Sequence, residues 1–126
     1  DGLVRVKVNG HTRAYTGITA IRVDALGGND VVRLSGLTSD ALVEAGEGND
    51  RVDASAVQRA RVELRGGRGN DDLRGGAQGD RIVGGDGNDT LRGGNGHDWI
   101  EGNAGCDTLF GDAGDDVLLG GADKDT

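Results

Sequence analysis

The chain has 126 residues, enough for one domain at most. It contains 26 glycines and no proline, with 34% hydrophobic and 2% aromatic residues, which speaks against an ordinary globular core. Its formal net charge is −8, from 22 acidic and 14 basic residues, and the basic ones stand singly among acids, which speaks against a nucleic-acid partner.

The first predicted element is a strand. Leu3-Val-Arg-Val-Lys-Val8 alternates, Asn9-Gly10 is a hairpin turn signal, and His11 to Tyr15 returns as a second strand. Residues 1–17 are therefore expected to cap a stacked structure, because terminal units must shield the stack. Residues 18–65 follow a looser plan. Strand-like runs occur at Ile21-Arg-Val23, Val31-Val-Arg-Leu34, Ala41-Leu-Val-Glu44 and Arg61-Val-Glu-Leu64. Gly-Asn-Asp turns precede two of these coils' strands and end at Asp30 and Asp50. The spacing predicts coils of about twenty residues with a Gly-Asp turn at one corner. The other corner reads as an ordinary loop, such as Ser35-Gly-Leu-Thr38 or Ala54-Ser-Ala-Val57.

Residues 66–126 are strictly periodic. Gly84-Gly-Asp-Gly-Asn-Asp-Thr-Leu-Arg92 and Gly93-Gly-Asn-Gly-His-Asp-Trp-Ile-Glu101 fit G-G-x-G-x-D-x-U-x, where U is a large aliphatic residue. Six copies run from Gly66 to Leu119, and a seventh starts at Gly120. The glycines permit turns that a Cβ resists. The sixth-place aspartate supplies a hard oxygen ligand. The eighth-place residue points inward under strand alternation. It is Val32, Val52, Leu73, Ile82, Leu91, Ile100, Leu109 or Leu118. Trp99, at the seventh place, is expected to be partly exposed. Two nonapeptides make one coil, so alternate copies fall on opposite sides. One row should then stack Asp30, Asp50, Asp71, Asp89, Asp107 and Asp125, and the other Asp80, Asp98 and Asp116.

These residues resemble the RTX (repeats-in-toxin) family of secreted bacterial proteins with hemolysin-type calcium-binding repeats. The resemblance implies an all-β fold, a right-handed parallel β-roll or β-helix solenoid. In that family six residues form the calcium turn and three a short strand, and an ion lies between copies n and n+2. Carried over, Asp71 pairs with Asp89, Asp80 with Asp98, Asp89 with Asp107, Asp98 with Asp116 and Asp107 with Asp125. Backbone carbonyls are implied from the first and third residues of the lower copy and the second and fourth of the upper. For the successive pairs these are Gly66, Arg68, Gly85 and Gly87; Gly75, Ala77, Gly94 and Gly96; Gly84, Asp86, Asn103 and Gly105; and Gly93, Asn95, Asp112 and Gly114. With Asp30 and Asp50 included, about seven calcium ions are expected. Gln78 and Asp123 replace fourth-place glycines, Asn103 and Asp112 second-place ones, and Ala25, Leu26 and Ala45 leading ones. Gln78 puts in question the fourth-place contact of its repeat, not Asp80.

Other chemistry fits poorly. His11 and His97 are far apart and Cys106 is the single cysteine, so neither zinc nor a disulfide is expected. Cys106 reads as a turn residue at a variable fifth place. No EF-hand loop, H-E-x-x-H or G-x-S-x-G occurs, so the chain is expected not to be an enzyme. The parent protein could still be a protease, lipase, hemolysin or adhesin. Only Thr90, Thr108 and Thr126 align outward, too few for an ice-binding ladder. No stretch is apolar enough to span a membrane. The chain begins at Asp1 without Met or a signal-like segment, as expected of a processed or excised piece. The resemblance further implies secretion by a type I route, an extracellular location and folding on calcium. Stacking or dimer contact at an open solenoid end completes the expected partners.

Overall fold

The structure, a computed structural model, describes residues 20–126 and, before them, the backbone of two strands, 4–8 and 11–15. Among the described residues there are thirteen strands and no helix. In chain order they are β1 (Val4–Val8), β2 (His11–Tyr15), β3 (Ile21–Asp24), β4 (Val31–Ser35), β5 (Ala41–Glu47), β6 (Arg51–Ala56) and β7 (Val62–Arg68). There follow β8 (Asp72–Arg74), β9 (Arg81–Asp86), β10 (Thr90–Asn95), β11 (Trp99–Ala104), β12 (Thr108–Ala113) and β13 (Val117–Ala122).

The strands alternate between two sheets. One has the order β12-β10-β8-β6-β4-β1-β2 and the other β13-β11-β9-β7-β5-β3. Every pairing from β3 onward is parallel, so each coil contributes one strand to each face of a parallel β-roll. The N-terminal strands differ. β1 pairs antiparallel with β2 and with β4, so the hairpin prolongs the first sheet beyond its first coil. The expected Asn9-Gly10 turn lies outside the described residues.

Register follows the repeat. Leu73 pairs with Leu91 and Leu91 with Leu109, while Leu64 pairs with Ile82 and Ile82 with Ile100. Val32, Val52, Leu73, Ile82, Leu91 and Ile100 are fully buried, as strand alternation requires. Leu109 is half-buried, and Leu118 in the last coil is 42% exposed. Trp99 is 43% exposed on the outer face of the second sheet, between Arg81 and Val117.

Two details differ from expectation. Most strands of the array span six residues, not three. They continue from the seventh place through the first three places of the next copy, because that glycine-led segment stays extended enough to keep its ladder bonds. The segment expected as a loop from Ala54 is mostly strand: Ala54 to Ala56 belong to β6, and the corner follows at 57–61. The upstream corners also fill the core. Leu37, Val57 and Ala60 insert there and are at most 3% exposed. Apolar plugs thus stand on the edge where later coils carry aspartate turns.

Candidate metal centre

The aspartates form two rows along the edges of the roll. Asp30, Asp50, Asp71, Asp89 and Asp107 end the turns that enter β4, β6, β8, β10 and β12. Asp80, Asp98 and Asp116 do the same for β9, β11 and β13. All of these except Asp116 are at most 5% exposed, although burial of a carboxylate without compensation is costly. Asp116 and Asp125, in the terminal coils, are half-buried.

Each row is joined by one repeated hydrogen bond. The N–H of Asp30 donates to Asp50 Oδ1 (2.7 Å), Asp50 to Asp71 (2.8 Å), Asp71 to Asp89 (2.8 Å), Asp89 to Asp107 (2.8 Å) and Asp107 to Asp125 (2.9 Å). On the other edge Asp80 N–H donates to Asp98 (2.7 Å) and Asp98 N–H to Asp116 (2.9 Å). Spacing in the sequence therefore identified the neighbours in both rows, including the continuation to Asp50 and Asp30.

The second carboxylate oxygen carries the chemistry. Oδ2 of Asp50, Asp71, Asp89, Asp98 and Asp107 is buried without a hydrogen-bond partner. Buried polar atoms are otherwise nearly always satisfied. A Cβ at Gly66, Gly84, Gly93 or Gly102 would collide with Oδ2 of Asp71, Asp89, Asp98 or Asp107. In these four turns the leading glycine leaves space beside a carboxylate oxygen. Ala45 puts a methyl at the corresponding place before Asp50. Burial pushes Asp71 and Asp89 up to about 6; the backbone hydrogen bond opposes that shift and neighbouring aspartates add to it. Asp50, Asp98 and Asp107 are raised for the same leading reason.

Among the described residues no three His, Cys, Asp or Glu side chains converge on one point. Two carboxylates face each gap, so further protein ligands would be backbone carbonyls, a hard-oxygen set that suits calcium rather than zinc. The expected carbonyls have the opposite sense, however. Between the Gly66–Asp71 and Gly84–Asp89 turns, Gly67 O and Gly69 O of the earlier turn face Gly85 and Gly87. Gly84 O and Asp86 O of the later turn face back, Asp86 O accepting from Gly69 N–H (2.8 Å). Arg68 O accepts from Gly48 N–H (2.7 Å) and so faces the gap below. Asn103 O faces Gly121, and Ala104 O and Ala113 O accept from the N–H groups of Gly87 (2.7 Å) and Gly96 (2.8 Å). Successive strand carbonyls alternate sides. The ladder gives the second-place carbonyl to the next coil, and a bare period encodes neither sense.

The fifth place proves to be structural. Asn29, Asn49, Asn70 and Asn88 accept through Oδ1 from the N–H of the fifth-place residue one coil on, ending at Cys106 (2.9 Å). His97 Nδ1 accepts from Asp115 N–H (3.0 Å) in the same way on the other edge. The recurring Asn-Asp pair was the available signal for this ladder.

The turn at Gly75–Asp80 stands apart. Asp80 Oδ1 accepts from Val62 N–H (2.8 Å), and its Oδ2 accepts from Gly76 N–H (2.6 Å). Both Asp80 carboxylate oxygens thus have backbone partners, whereas Oδ2 of Asp71 and Asp89 has none.

The family model of the RTX calcium-binding nonapeptide repeat matches residues 63–91 and 92–126, with 4 copies. No curated protein and no solved structure matches the chain. Together those residues make up just over half of the sequence, and the chain belongs to the RTX calcium-binding repeat family.

Proposed function

We propose that this chain is a non-catalytic module of a secreted bacterial protein, and that calcium uptake completes its fold after export. The observation that carries this reading is the set of buried carboxylate oxygens without partners, those of Asp71, Asp89, Asp98 and Asp107 each beside a glycine that leaves room. Calcium, when bound, supplies the positive charge that facing carboxylates need. Asp71 Oδ2 and Asp89 Oδ1 would hold it in one gap, with the Gly67, Gly69 and Gly84 carbonyls turned into that gap from its two sides. Asp89 and Asp107, and Asp107 and Asp125, repeat that arrangement. The gap between Asp98 and Asp116 repeats it on the other edge.

Each inner aspartate serves two gaps, one through each oxygen. Calorimetric titration with calcium tests this sharing. The intact chain should take up several ions, and Asp89→Ala should take up two fewer, whereas Asp125→Ala should lose one. Equal uptake by the intact chain and Asp89→Ala would refute shared ligation. Low calcium before export would keep the repeats open enough to pass a narrow channel. Millimolar calcium outside would then favour the closed roll, because a ligand that binds only the folded chain stabilises it.

A further inference from the structure

Nine Gly-Asp turns occur from Ala25 onward, and eight share one backbone form. Their second-place residues all have positive φ, even where they are not glycine: Leu26 (76°), Asn103 (78°) and Asp112 (67°). Their fourth-place residues do as well, including Asp123 (80°). Gly76 and Gln78 are the exceptions, since neither adopts positive φ. Glycine at 76 could adopt it freely, so the cause lies in what the turn rests on. Below it is not another aspartate turn but the apolar corner 57–61. Ala77 N–H donates to Val57 O (3.0 Å) and Gln78 Nε2 to Gln58 O (3.1 Å). A Cβ on Gly76 would stand 2.6 Å from Val57 O. Seated on that corner, the turn swings the Gly76 N–H onto Asp80 Oδ2.

We propose that the gap between Asp80 and Asp98 takes no calcium. Asp80 is instead a metal-independent latch that joins the well-cored coils to the repeat array. In the gaps above Asp50, Asp71, Asp89, Asp98 and Asp107, the lower aspartate offers an unpartnered Oδ2. Here that oxygen is occupied by the chain's own amide, and Oδ1 by Val62 N–H. The carbonyl side is altered too: the Gln78 oxygen stands 2.7 Å from where a Gly96 Cβ would lie, with Gly79 N at 2.8 Å, whereas the Gly69 oxygen stands 2.1 Å from the corresponding point at Gly87. The second edge would then bind its first ion between Asp98 and Asp116.

This inference rests on the calcium-module reading, and native mass spectrometry in calcium separates the two. If the intact chain takes up no calcium, the module reading fails. If it takes up several, Asp80→Asn should leave the ion count unchanged, while Asp98→Asn should lower it by one and Asp89→Asn by two. Loss of an ion in Asp80→Asn, or of two in Asp98→Asn, would overturn the latch alone. Amide exchange of the intact chain in excess chelator gives a second reading that needs no variant. The Val62 and Gly76 amides should stay protected there. Protection of Gly76 that appears only on adding calcium would overturn the proposal.

Discussion

Leu26 holds a left-handed backbone, φ 76°, with its side chain 77% exposed. A residue with a Cβ adopts that conformation at a cost of about 1–2 kcal/mol, and an exposed leucine recovers little of it. Glycine removes the strain but adds about 0.5–1 kcal/mol of conformational entropy to the unfolded chain. Leu26→Gly is therefore expected to raise stability by about 0.5–1 kcal/mol. Denaturant unfolding in excess calcium checks the sign. Protons act at the same scale. Asp71, Asp80 and Asp89 are pushed up to about 6, chiefly by burial, against about 3.9 in an unfolded chain. Without metal, the folded chain binds protons more tightly than the unfolded one. Their stabilising contribution is full below about pH 4 and is lost as pH rises through about 6. In chelator, the melting temperature should therefore be higher at about pH 5 than at about pH 7.5. A lower value at the acid pH would contradict this. In calcium, protons on Asp71 and Asp89 compete with the ion, so affinity should fall as pH drops through about 6.

The strands do not share stability equally. Val32 to Leu73 include thirteen of the sixteen buried apolar residues, and only Ile82, Leu91 and Ile100 follow. Ion pairs cannot make up that difference. A chain of them crosses the second sheet's outer face from Arg22 through Glu44, Arg65, Glu63 and Arg81 to Glu101. Each is solvent-exposed and worth about 0–1 kcal/mol. Hydrogen exchange in chelator should thus show β4 to β7 protected and β10 to β13 open, and calcium should close the latter. Uniform loss across both halves would contradict this division. The period made the eighth-place core and both aspartate rows legible, because spacing alone decides which residues stack. It did not reveal the apolar corners, since Leu37, Val57 and Ala60 belong to no repeat. Nor did it reveal the latch. Gln78 looked like a local fault, and its consequence depends on a corner about twenty residues away.

Across the whole molecule, charge opposes compaction. The net charge is −8, and the buried aspartates stand in two stacked rows. A site with a dissociation constant of about 0.1 mM contributes about 1.4 kcal/mol at about 1 mM calcium. Each such site comes close to the lower end of what one buried aliphatic side chain supplies to its repeat, about 1.5–3 kcal/mol. On the proposed reading, the molecule has a metal-independent half and a half that closes with calcium. Far-UV circular dichroism in excess chelator and in millimolar calcium tests the claim most directly. A large, reversible gain of β signal on adding calcium is predicted; identical spectra in the two conditions would contradict it.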